Sequence, residues 1–109
     1  MTRRAPIAVA LDVPDLASAT NVAGAVAPSV RCVKVGLESY LRDGTPGIAA
    51  VRAATGDDVE LFLDLKLHDI PNTVAGAARS VAPLRPSLLT VHASGGPQMI
   101  AAAVDALPD

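Results

Sequence analysis

Aromatic side chains are almost missing from this sequence: there is no tryptophan, and Tyr40 and Phe62 are the only aromatics in 109 residues. Nucleic-acid bases have nothing to stack on, and the lysines and arginines form no basic cluster. Both usual footings of nucleic-acid binding are therefore absent. Cysteine is equally scarce. Cys32 stands alone inside an apolar run, which excludes an intrachain disulfide, fits a reducing compartment and reads as a small buried hydrophobe. No apolar stretch approaches the roughly 20 residues that cross a bilayer. Met1-Thr2-Arg3-Arg4 has the charge of a signal-peptide start, but Asp12, Pro14 and Asp15 soon break the apolar stretch behind it. These absences predict a cytoplasmic protein that binds neither nucleic acid nor membrane.

What is present describes a globular chain. Half of the residues are hydrophobic, 18% are charged and the formal net charge is -2, which is enough apolar material for one folded unit and not for two. Four β-type runs recur, Ile7 to Leu11, Val30 to Val35, Glu60 to Leu65 and Leu88 to Val91. Each is nearly continuous apolar sequence, the pattern of parallel strands. Ala-rich segments with helical spacing lie between and after them, at about 15–26, 46–54, 71–81 and 97–107. Thr45-Pro46 and Asp69-Ile70-Pro71 place a capping-type side chain before a first-turn proline, while Pro28, Gly56 and Pro83 mark stops.

The order β-α-β-α-β-α-β-α leaves an open doubly wound sheet or a (β/α)8 TIM barrel. Length favours the first. The polar residues favour the second, because Asp12, Lys34, Asp64 with Lys66, and His92 with Ser94 all fall at or just past the C-terminal ends of successive strands. In a barrel those ends form one ring around one site. The fold class read from the sequence is thus α/β of the (β/α)8 type, with four βα units in a single partial domain spanning residues 1–109. Such a half-barrel is expected to expose unpaired edges and part of its inner face.

Asp64 and Lys66, two apart on a strand, are expected to share a face, and Asp69 follows at the turn into the next helix. Carboxylates beside an ammonium favour its charged form, which suits proton donation better than the neutral-amine chemistry of a Schiff base. A bare Asp-x-Lys pair reads equally well as a structural ion pair. Lys34 also reads as a snorkelling lysine and Asp12 as a helix or turn cap. His68 and His92 have no further ligand at metal-site spacing, so no metal is expected. Ser94-Gly95-Gly96 reads as a tight turn.

The full string Asp64-Leu-Lys-Leu-His-Asp-Ile-Pro-Asn-Thr73 resembles the signature of orotidine 5'-monophosphate (OMP) decarboxylases. Ala10-Leu11-Asp12, Val33-Lys34-Val35-Gly36 and His92-Ala93-Ser94-Gly95-Gly96 are similar to that family's pattern as well, in the same order. The resemblance implies a carboxy-lyase of pyrimidine biosynthesis that forms uridine monophosphate (UMP) without cofactor or metal. By the same resemblance, Lys66 protonates the C6 carbanion, Asp64 lies beside the substrate carboxylate, and Asp12 and Lys34 hold ribose hydroxyls. Asp69, Ile70 and Thr73 reach into a partner's site in a homodimer. The family's phosphate- and pyrimidine-gripping segments match nothing before Asp109, so the 109-residue polypeptide alone is expected to be inactive or nearly so. Two alternatives carry the same elements: a metal-dependent sugar-phosphate decarboxylase or aldolase of the same barrel group, and a non-catalytic half-barrel that assembles with itself or another protein.

Overall fold

The computed structural model describes residues 3–108. Met1, Thr2 and Asp109 lie outside the described residues, and with them the first two positions of the leader reading and both ends of the 1–109 domain. The strands are β1 (Ala5–Ala10), β2 (Val30–Gly36), β3 (Glu60–Leu67) and β4 (Leu88–Val91), and the helices α1 (Leu16–Val26), α2 (Leu37–Thr55), α3 (Pro71–Val81) and α4 (Pro97–Ala106). Short 3-10 turns, Ala82–Leu84 and Ala93–Gly95, flank β4. All strands are parallel in the order β1-β2-β3-β4. A doubly wound sheet reverses its strand order at a switch point, and this one does not.

One face of the sheet is dry. Val33, Val35, Leu61, Leu63 and Leu65 pack with Ala19, Ala23, Ile48 and Val51 of the first two helices in the main core. A smaller core of Val74, Met99 and Ala103 joins α3 to α4, with Leu67 and Val91 against it. The opposite face carries a row in register, Ala10, Lys34, Phe62 and Leu88, and Leu88 at its edge is 53% exposed. That is the exposure expected of the inner wall of a half-barrel.

Helix α2 corrects the sequence reading, which starts it near Pro46. Its first segment begins at Leu37 with Gly36 as N-cap and no side-chain capping bond, so nothing at the sequence level announces it. Gly44, at φ 63 and ψ -157, breaks the helix, and Pro46 stands in the first turn of the second segment. Of the expected stops, Gly56 caps α2 with its N–H on the Arg52 carbonyl. Pro83 falls in the 3-10 turn after α3. Among the described residues, no helix is long and apolar enough to cross a membrane.

Candidate active site

The C-terminal ends of β2, β3 and β4 converge on one carboxylate. Asp64 sits on β3 in register with Gly36 of β2, and its side chain is only 11% exposed. Its two oxygens have different partners. Oδ1 accepts the Thr90 hydroxyl at 2.8 Å, while Oδ2 takes the ammonium groups of Lys34 at 3.1 Å and Lys66 at 2.9 Å. A nearly buried anion so saturated is strongly held in its charged form. The Lys66, Thr90 and Lys34 hydrogen bonds draw its pKa from 3.8 to about 2 against the opposing effect of burial.

This shift has a consequence for stability. A carboxylate whose pKa falls on folding adds stability at pH above its unfolded value, and that contribution disappears as pH drops through the folded value. For Asp64 the window runs from about pH 4 down to about 2, and the contribution is on the order of 2 kcal/mol. Urea unfolding of the parent and of Asp64→Asn is expected to give separate midpoints at pH 6 that draw together near pH 2. A constant separation across that range contradicts the assignment.

Lys66 reaches Asp64 by a backbone irregularity rather than by strand alternation. The β3–β4 register shifts between Leu63 and Leu67, and Lys66 adopts φ 52, a left-handed conformation that a non-glycine residue enters at some cost. The bulge leaves the side chain 56% exposed with its tip on Asp64, so the ammonium is anchored yet open to a ligand. The reading of Lys66 between two acids is corrected here. Among the described residues the ion pair of Lys66 is with Asp64, while the Asp69 carboxylate accepts the Ile70 N–H at 2.7 Å. Asp69, Ile70 and Thr73 are all exposed at the start of α3, and Asp69 and Thr73 line one pocket with Lys66.

Asp12 follows β1 and is exposed. It does not cap α1, since Asp15 does so through the Ser18 N–H. The unannounced first segment of α2 instead holds the turn on either side of Asp12. Ser39 donates to the Leu11 carbonyl at 3.4 Å and Arg42 to the Val13 carbonyl at 2.9 Å. A side chain at Gly36 would place its first carbon 3.4 Å from Asp12 Oδ1, in van der Waals contact with it, so the Asp12 carboxylate lies beside the end of β2.

Two features escape sequence reading. Thr90 is a β-forming residue inside an apolar strand and betrays nothing of its bond to Asp64. His68 and His92 stack with ring centroids 5.0 Å apart, and no group of three or more His, Cys, Asp or Glu side chains suited to a metal forms among the described residues.

Chemically, the site offers an exposed ammonium beside a fixed anion, a second ammonium from β2 on the same anion, and the exposed Asp12 carboxylate past the end of β1. Residues 5–108 match the sequence model described as "Orotidine 5'-phosphate decarboxylase / HUMPS family". The chain is 63% identical over 105 residues to an orotidine 5'-phosphate decarboxylase of Thermobifida fusca, covering 96% of the chain and 44% of that relative. Its fold is similar to the crystal structure of orotidine 5'-phosphate decarboxylase from Pyrococcus horikoshii OT3, with a TM-score of 0.84 and 32% identity over 92% of this chain and 47% of that one. It is also similar to the Methanocaldococcus jannaschii orotidine 5'-monophosphate decarboxylase complexed with inhibitor BMP, with a TM-score of 0.85 and 27% identity over 95% of this chain and 47% of that one. The chain thus spans somewhat under half the length of these relatives, and its four βα units have the (β/α)8 TIM-barrel architecture.

Proposed function

This chain belongs to the orotidine 5'-phosphate decarboxylase / HUMPS family, and we propose that its residues supply the reacting centre of an enzyme that decarboxylates OMP to UMP in pyrimidine biosynthesis. The observation that carries this reading is the Asp64 carboxylate, tied to Thr90 through one oxygen and to Lys34 and Lys66 through the other. The bond from C6 to the substrate carboxyl breaks, carbon dioxide leaves, and the electron pair stays on C6. A proton then passes from Lys66 Nζ to that carbon. A carbanion of this kind has no cofactor to delocalise into, so a cation already in place beside it is the stabilisation required.

Asp64 orients that cation and brings a like charge near the departing carboxylate. Asp12 and Lys34, on neighbouring strand ends, are suited to the ribose hydroxyls through charge-assisted hydrogen bonds. Asp69, Ile70 and Thr73 project from the start of α3, where a second subunit of a homodimer would receive them. The reaction needs neither metal nor cofactor, the partner is a small-molecule substrate, and the setting is the cytoplasm.

Grafting tests this directly, since a (β/α)8 barrel needs four further βα units to close. Residues 5–108 replacing the matching segment of the Thermobifida fusca relative are expected to give a folded protein that converts OMP to UMP at a rate unchanged by EDTA. A folded graft without turnover overturns the proposal. Loss of turnover on chelation instead points to the metal-dependent chemistry of the same barrel group.

A further inference from the structure

We propose that Thr90 is a positioning residue that locks the Asp64–Lys66 pair by holding its acid and its lysine backbone through a single hydroxyl. The proposal rests on the reading of that pair as the reacting centre. Thr90 Oγ1 donates its one proton to Asp64 Oδ1 at 2.8 Å and accepts the Lys66 N–H at 2.9 Å. A hydroxyl has one proton to give and lone pairs to receive, so both bonds form only with the group turned one way.

The second bond answers a need created by the bulge. Where the β3–β4 register slips between Leu63 and Leu67, the Lys66 N–H takes a side-chain oxygen of β4 in place of a ladder carbonyl, and a backbone donor without a partner is costly. The left-handed Lys66 conformation is thereby held from the neighbouring strand. The first bond sorts the carboxylate. With Oδ1 occupied by a neutral donor, Oδ2 faces both ammonium groups, which fixes where the Lys66 proton is presented. Asp64 and Thr90 are 26 residues apart in sequence, so this clamp exists only in the folded sheet.

Thr90→Val keeps the shape and the β-branch and removes only the hydroxyl, whereas Thr90→Ser keeps the hydroxyl. In the 109-residue chain, carboxyl-carbon NMR is expected to show the Asp64 titration midpoint rising by about one unit in Thr90→Val and staying near the parent value in Thr90→Ser. In the graft, Thr90→Val is expected to lower kcat about 10- to 100-fold with KM changed less than about threefold, and Thr90→Ser to restore most of it. A Thr90→Val midpoint and kcat equal to the parent's overturn the proposal. Should that variant not fold, amide exchange in the parent decides. A protected Lys66 N–H supports the clamp, and exchange at the rate of an open amide refutes it. A graft that turns over no OMP, with the Asp64 midpoint still dependent on Thr90, removes the decarboxylase reading and leaves the clamp standing.

Discussion

Asp64→Ala in the graft is expected to lower kcat/KM for OMP by about a thousandfold or more, equivalent to about 4 kcal/mol of transition-state stabilisation. The magnitude follows from what the substitution leaves behind. Two ammonium groups, from Lys34 and Lys66, lose their shared counter-ion, and the Thr90 hydroxyl loses its acceptor. Mutual repulsion then drives the exposed Lys66 tip away from the position that Oδ2 defined. A misplaced proton donor costs orders of magnitude even when it stays charged. Asp64→Asn is expected to be nearly as damaging. Its amide oxygen can still serve Thr90, but its amide N–H groups face the two cations that Oδ2 had accepted. Near-parental activity in Asp64→Asn contradicts a role for the negative charge.

The two effects of Asp64 separate cleanly by measurement. Its contribution to stability is modest, fully present above about pH 4 and lost as pH falls to about 2, so it accompanies the kinetic effect at neutral pH. The kinetic effect persists at neutral pH in protein that remains folded. Circular dichroism and urea unfolding alongside the kinetics therefore distinguish a lost reacting centre from a lost fold.

Much of this architecture was legible because it is written in local patterns. Strands and helices alternate as apolar runs and Ala-rich periods, and the polar residues that interrupt the runs at Asp12, Lys34, Asp64 and Lys66 stand at strand ends in the structure as the spacing implies. What stayed hidden depends on contacts distant in sequence. The first segment of α2 has no capping side chain, and its purpose appears only when Ser39 and Arg42 meet the turn around Asp12. The bulge at Lys66 arises from a register slip between two strands, which period-2 reasoning along one strand does not contain. Nor does sequence spacing reveal that Asp69, close to Lys66 in sequence, accepts the Ile70 N–H ahead of α3. Thr90 was invisible for a simpler reason. A threonine in a strand needs no explanation until its hydroxyl is seen bridging Asp64 and Lys66.

The proposed reaction turns on Lys66, and removal of that residue is the most direct test. In the proposed reaction it is both the cation nearest the developing carbanion and the source of the proton, two contributions that each reach orders of magnitude in rate. Truncating Lys66 forfeits part of the stability tied to Asp64, but Lys34 and Thr90 still hold that carboxylate, so the variant is expected to fold as the parent does. Single-turnover decarboxylation of OMP by the graft carrying Lys66→Ala is expected to be slower than the parent by at least about 10⁴-fold, with unchanged circular dichroism. A folded Lys66→Ala graft that decarboxylates within tenfold of the parent rate contradicts the assignment.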